Sequence, residues 1–386
     1  MTPGARVAAA IEVLDAIVAG QPAAQALTRW ARNSRFAGSK DRAAVRDHVY
    51  DVLRHWRSDA ARGGGLSGRA RMIGRMRGLG VDPAGLFHGE GHAPAPLSQD
   101  EQQAGEAPIE RGVAWDLPDW LLPLFEESLG TEAENTAQTL TERAPVTLRV
   151  NLAKTNVADA QARLVEDGIM TVANPRASTA LTVTEGARRL RNSASYTEGF
   201  VEIQDASSQS AVLDLGSPGR ALDLCAGGGG KALAMAALGW SVTASDIDAA
   251  RMKDLPHRAA RGGHDISIHA QEDLADLPKF DLVFVDAPCS GAGTWRRTPD
   301  AKWALTPDRL DTLVAIQREV LTKAVALVAP GGTLVYATCS VLNLENDAQK
   351  QWLLSQTSSF VLREQRHWSV DAWGDGFYAA HLTREV

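Results

Sequence analysis

Three cysteines, Cys225, Cys289 and Cys339, punctuate the C-terminal half of this chain, and two of them sit where a nucleophile could work. Cys289 follows Asp286-Ala-Pro at the end of the apolar run Leu282 to Val285, and Cys339 follows Tyr336-Ala-Thr at the end of Thr333 to Ala337. Such runs read as buried strands, and in α/β sheets ligands gather beyond the carboxyl ends of the strands. Fifty positions apart, the two thiols are expected to converge over one site, with Asp286 beside them. Packing is the plainer alternative for a Pro-Cys pair, and packing is the reading of Cys225. The three are too few and too widely spaced for a disulfide framework or a zinc ligand set, so no metal is expected.

A second constellation lies upstream. Asp223-Leu-Cys225-Ala226-Gly227-Gly228-Gly229-Gly230-Lys231 joins a strand, Ala221 to Leu224, to a helix, Ala232 to Leu238. Consecutive glycines let the backbone approach a ligand closely, and the helix start adds amide donors. Asp246 ends the next strand, Ser241 to Ala244, where a carboxylate can accept both hydroxyls of a ribose. Turn and acid together point to a nucleotide-like cofactor; NAD and S-adenosylmethionine both fit. Glu272 and Asp273, after the strand Ile266 to His269, could reach an adenine amino group or could belong to a solvated loop. Just past Cys289, Trp295, Arg296, Arg297, Lys302 and Trp303 interleave positive charge with aromatic rings, a composition suited to phosphates and stacked bases.

The elements that must position these residues follow from periodicity. Val7, Ile11, Leu14 and Val18, then Val45, Val49, Val52 and Trp56, recur at helical spacing, so residues to about 85 read as a helical bundle. A Pro- and Gly-rich stretch between His88 and Gly112 reads as a linker. Helix-like and strand-like pieces to about residue 205 suggest a small α+β module. Beyond it, strands alternating with helices imply a doubly wound, Rossmann-like α/β sheet. The expected domains are therefore 1–112, 113–205 and 206–386. With 386 residues, 44% hydrophobic and 23% charged, the composition is that of an ordinary globular chain of two or three domains. No apolar run is long enough for a membrane helix, and the first residues mix charge into apolar positions, so a cytoplasmic location is expected. The net charge of −7 requires any polyanionic partner to be met by local basic patches. Arg54, Arg57, Arg62, Arg69, Arg71, Arg75 and Arg77 form one candidate, an RNA-backbone surface or a solvated helix face.

Taken in order, Asp-Leu-Cys-Ala…Gly-Gly-Lys, Asp-Ala-Pro-Cys-Ser-Gly…Arg-Arg-x-Pro-Asp-x-Lys-Trp and Tyr-Ala-Thr-Cys-Ser…Glu-Asn resemble the motifs of the RNA cytosine-5 methyltransferases of the Fmu/Sun family. Leu148-Arg-Val-Asn151, Gln204-Asp-Ala-Ser207 and Asp375-Gly-Phe-Tyr-Ala-Ala380 are similar to that family too, and the helical N-terminal region resembles a NusB-like RNA-binding domain. The resemblance implies methylation of carbon 5 of a cytosine in RNA, small-subunit ribosomal RNA above all, by a monomer. It implies Cys339 as the attacking thiol, Cys289 as the residue that assists release, and Asp286 on the cytosine edge near the methyl donor. It further implies that Cys225 to Lys231, Asp246, Asp273 and Asp286 hold S-adenosylmethionine. RNA is expected to meet Arg71, Arg75, Trp295, Arg296, Arg297, Lys302 and Trp303. Two departures stand out: Gly227-Gly228 replace the family's Ala-Pro, and Ala232 its Thr. A methyltransferase for another substrate, and a non-catalytic RNA-binding or ribosome-assembly factor with an altered cofactor loop, are the competing readings.

Overall fold

The computed structural model describes residues 1–386, and the chain divides into two compact units. The first comprises Met1–Glu126, Gly130–Arg143 and Trp295–Ala304 and is helical. Its opening helix, Pro3–Val18, starts where the Thr2 hydroxyl accepts the Ala5 amide and Pro3 stands in the first turn, both favourable at a helix start. Val7, Ala10, Val13 and Leu14 form its buried face, while Val18 is exposed. The helices Ala23–Asn33, Ser39–Arg54, Trp56–Gly63 and Gly68–Gly78 follow. Val45, Val49 and Val52 are fully buried, in a core that also takes in Trp30, Met72 and Ile73.

The expected boundary at residue 112 is not where this unit ends. Leu117, Leu121 and Phe125 are fully buried, and Phe125 stacks on Trp295 with ring centroids 5.9 Å apart. Burial of that apolar surface draws residues to Arg143, and the distant segment Trp295–Ala304, into the helical unit.

The second unit holds two sheets. The smaller comprises β1 (Thr147–Val150), β2 (Met170–Ala173), β3 (Ala180–Glu185) and β4 (Val201–Ile203) in the order β2-β3-β1-β4, all antiparallel. The helix Val157–Glu166 packs Ala160 and Leu164 onto it. The larger sheet comprises β5 (Arg220–Asp223), β6 (Ser241–Ala244), β7 (Ile266–Ile268), β8 (Phe280–Asp286), β9 (Val328–Thr338), β10 (Phe360–Trp368) and β11 (Phe377–Arg384), ordered β10-β11-β9-β8-β5-β6-β7. Strands β5 to β9 pair in parallel, and β11 runs antiparallel between β9 and β10. Along β8, Leu282 and Phe284 enter one core and Val283 and Val285 the other, so both faces are covered, as a parallel sheet requires. Strand order reverses beside β5, whose neighbours are β6 and β8. A ligand crevice is expected at that reversal.

Candidate active site

The loops leaving β5, β6, β8 and β9 carry the chemistry. After β8 the chain turns through Cys289, and after β9 through Cys339. Because β8 and β9 are hydrogen-bonded neighbours with Asp286 opposite Ala337, the two thiols emerge side by side with their sulfurs 3.4 Å apart. The loop ends are tied as well: the Ala287 amide donates to the Ala337 carbonyl at 2.8 Å, and the Gly293 amide to the Cys339 carbonyl at 2.9 Å. The hydrogen bond to Cys339, and then burial, push the Cys289 thiol well above its ordinary value. Cys289 therefore keeps its proton and can donate it to the Cys339 sulfur. The convergence expected from the strand ends is present.

Both cysteines line a cleft of about 660 Å³ together with Cys225, Ala226, Gly227, Gly228, Gly230, Lys231 and Asp286. In the glycine turn, Gly227 and Gly229 have φ of +49° and +81°, a region that side chains disfavour. A Cβ at Gly229 would also meet Leu255 at 2.2 Å. The turn is braced from outside. Asp246 accepts the Gly227 amide at 2.9 Å and pairs with Arg251 at 3.0 Å, and the Arg258 guanidinium donates to the Gly228 carbonyl. These contacts tie the glycine turn to the Asp246 and Arg258 side chains. Lys231 is buried, and its ammonium pairs with Asp286 at 2.8 Å over the Phe377 ring. It fixes that carboxylate. Burial pushes the Cys225 thiol up and it packs against the core, so it is a wall of the cleft and no nucleophile.

Sequence reasoning passed over three contributors. Asp223, the last residue of β5, is fully buried, and neither carboxylate oxygen makes a hydrogen bond of good geometry within the chain. Burial first, then the charge of Asp286, raise its pKa to about 7, with the charge of Lys231 and, after it, the Ala232 amide tempering the shift. Arg149 and Gln204, which sit in two of the shorter family-like motifs, both donate to the Gly230 carbonyl, at 2.8 and 3.3 Å. They hold the start of the helix Gly230–Ala237 from the smaller sheet and the segment after β4. A hidden carboxyl at the end of a strand leaves no periodic signal.

The cleft fits one of the two candidate cofactors better. Asp223 is fully buried near Asp286 and Asp246, which are themselves paired with Lys231 and Arg251; a buried acid left without an ion pair of its own favours a cation. S-adenosylmethionine carries a positive sulfur; the diphosphate of NAD is an anion. Next to the cleft, Asp246, Ile247, Met252, Ile268, His269, Gln271 and Glu272 line a hollow of about 600 Å³, whose acid and apolar walls suit a ribose and a purine. Asp273 is exposed in the turn Gln271–Asp276 and does not line that hollow.

The residues expected to grip RNA are placed otherwise. Arg71, Arg75, Trp295, Arg296 and Lys302 are at most 6% exposed, inside the helical unit. Arg71 stacks over Trp56 at 3.7 Å, and Arg75 lies 3.8 Å from the buried Asp59. The Trp303 indole donates to the Leu53 carbonyl at 2.7 Å. Burial lowers the Lys302 pKa to about 8, with Asp116 the nearest acid opposing the shift. The other arginines of the N-terminal cluster are engaged in the same unit: Arg57 with Asp119, Arg69 with Glu101, Arg77 with three carbonyls. Phosphate contact is therefore withdrawn for the buried five, whose guanidinium, ammonium and indole groups are spent on packing. Arg297 is exposed.

Comparison with known proteins agrees with this geometry. The family described as 16S rRNA methyltransferase RsmB/F matches residues 210–382, and the ferredoxin-like domain of RsmF/B-like methyltransferases matches residues 117–188. Ribosomal RNA small subunit methyltransferase B of Cronobacter sakazakii is 34% identical over 314 residues, 75% of this chain and 72% of the relative. Those of Salmonella arizonae and Vibrio cholerae are 32% and 34% identical, over 69% and 62% of this chain. In those two the matched stretch spans 66% and 57% of the relative's length. Among solved structures, PH0851 superposes with a TM-score of 0.74 at 23% identity, covering 99% of each chain. NSun6 from Pyrococcus horikoshii, solved with SFG, gives 0.62 at 17% identity, over 69% of this chain and 98% of that one. Paired thiols at adjacent strand ends, a glycine turn walled by carboxylates and these matches lead to one conclusion: the chain belongs to the RsmB/F family of 16S rRNA methyltransferases.

Proposed function

We propose that this protein methylates carbon 5 of a cytosine in small-subunit ribosomal RNA, with S-adenosylmethionine as methyl donor. The observation that carries the proposal is the 3.4 Å pair of thiols in the same cleft as the glycine turn and Asp286. Carbon 5 of cytosine is a poor nucleophile, and a thiolate bonded to carbon 6 pushes electron density onto it. Cys339 forms that carbon–sulfur bond. Asp286, fixed by Lys231, holds the cytosine edge. As the carbon 6–sulfur bond breaks, its electron pair returns to the Cys339 sulfur, which takes the proton of the Cys289 thiol 3.4 Å away, and the Cys289 thiolate so formed takes the proton from carbon 5. When bound, S-adenosylmethionine supplies an electrophilic methyl group; Cys225 to Lys231, Asp246 and Asp223 hold it. The target base must leave its stack to enter such a cleft, and Arg297 is the remaining candidate from the basic–aromatic segment for a phosphate contact.

The test is methyl transfer from labelled S-adenosylmethionine to small-subunit ribosomal RNA lacking its modifications, followed by bisulfite mapping. Label at a cytosine carbon 5 is expected. Transfer to a nitrogen that survives Cys339→Ala would assign the fold a different reaction, and absence of cofactor binding would make the chain a non-catalytic RNA-binding factor.

A further inference from the structure

One buried acid outside this scheme touches both cysteine loops. Glu345 lies just beyond β9 and is fully buried. One carboxylate oxygen accepts the Ser290 amide at 2.8 Å and the Gln317 side chain at 3.1 Å. The other accepts the Ser290 hydroxyl and the Ser340 hydroxyl, each at 2.5 Å. Ser290 and Ser340 are the residues directly after Cys289 and Cys339. The same Gln317 amide donates to the Pro288 carbonyl at 2.9 Å, the residue directly before Cys289. Glu345 is itself held: Tyr336 donates to its carbonyl at 2.6 Å. The neighbouring Asn346 bridges the Thr338 hydroxyl at 2.5 Å and the Ser340 carbonyl at 3.0 Å, on either side of Cys339.

We infer that Glu345 is the positioning residue that sets the separation of the two thiols, one carboxylate clamping the loop after β8 to the loop after β9. Four donors satisfy the buried charge, and three of them come from the residues adjoining the cysteines. No group of Glu345 faces the cleft, so it acts through Ser290 and Ser340. The inference deepens the proposed reaction and rests on it only for the kinetic consequence; the clamp itself is a statement about sulfur geometry.

The two can be tested apart. Diamide accepts two electrons and two protons from a pair of thiols as their sulfur–sulfur bond forms, so its rate of cross-linking Cys289 to Cys339, read by mass spectrometry, reports how often the sulfurs meet. It needs neither RNA nor cofactor. Wild type is expected to cross-link rapidly. Glu345→Ala should slow the reaction at least tenfold, and Glu345→Gln, which keeps one accepting oxygen but cannot receive both serine hydroxyls and the amide, should fall between. In methylation assays the same order is expected in kcat, with the KM for RNA and the affinity for S-adenosylhomocysteine within twofold of wild type. Should Glu345→Ala fail to fold, Glu345→Gln carries the comparison. Cross-linking at the wild-type rate in a folded Glu345 variant overturns the inference. Cross-linking that depends on Glu345 in a protein that methylates nothing upholds the clamp and removes the proposed function.

Discussion

Asp223→Asn offers a prediction with opposite signs in two measurements. The carboxyl is fully buried at the end of β5, and burial, then Asp286, raise its pKa from 3.8 to about 7. Between those values the folded protein holds a proton that the unfolded chain has released. Stability from this group is therefore complete below pH 3.8 and is lost as the pH climbs through about 7. At about 1.36 kcal/mol per pH unit, the whole span is worth about 4 kcal/mol. Asparagine has the same shape and no charge to bury. The variant should match wild type near pH 4 and exceed it at pH 8 by roughly 1–4 kcal/mol in urea unfolding, with a flatter profile between. The cofactor should report the reverse. A cation in the cleft compensates the Asp223 charge, so S-adenosylmethionine should bind wild type more tightly at pH 8 than at pH 6. Loss of a charged hydrogen bond worth roughly 1.5–3 kcal/mol should weaken binding to the variant about 10- to 150-fold at pH 8 by calorimetry. A variant less stable than wild type at pH 8, or one that binds the cofactor equally well at both pH values, would refute the reasoning.

Cys339→Ala should abolish both methylation and covalent capture of RNA, whereas Cys289→Ala should accumulate a denaturation-resistant protein–RNA adduct, visible as a shifted band on denaturing gels. Asp246→Ala removes the acceptor of the Gly227 amide and the expected acceptor of the ribose hydroxyls, so calorimetry should show S-adenosylmethionine affinity at least tenfold lower. The double change Arg71→Ala and Arg75→Ala strips the guanidinium from Trp56 and removes one of the two arginines beside Asp59, leaving Arg62 at 3.7 Å. Thermal melting of the helical unit should fall by several degrees while the salt dependence of RNA binding stays the same. Arg297→Ala should instead reduce the slope of log affinity against log salt by about 0.7–0.9.

Much of the catalytic sheet could be read from the residues because its parallel strands are short apolar runs, Leu282 to Val285 being the clearest, each ending in a polar residue with a task. The thiol pair followed from two such endings. Strands β10 and β11 escaped notice: Arg363, Glu364, Gln365 and Arg366 make β10 look like a solvated segment, and its half-exposed edge position explains why they are tolerated. The arginine cluster misled for a different reason. Arg57, Arg69 and Arg77 meet Asp119, Glu101 and backbone carbonyls tens of residues away, so local sequence showed the positive charges without their partners. Likewise Trp295 and Lys302 have the composition of a nucleic-acid contact, yet the unit they join buries them, and composition cannot distinguish a ring that stacks on Phe125 from one that stacks on a base.

The segment Trp295–Ala304 also bears on how the chain is made. The helical unit leaves the ribosome through Arg143, but the piece that completes it follows about 160 residues later, roughly 8 to 32 seconds at 5–20 residues per second. During that interval the Phe125 ring lacks Trp295, the Leu53 carbonyl lacks the Trp303 indole, and Asp116 lacks the ammonium of Lys302. A nascent chain stalled before residue 295 should therefore expose an open apolar seam, and an N-terminal fragment cut at residue 143 should regain its protease resistance when a peptide spanning 295–304 is added in trans.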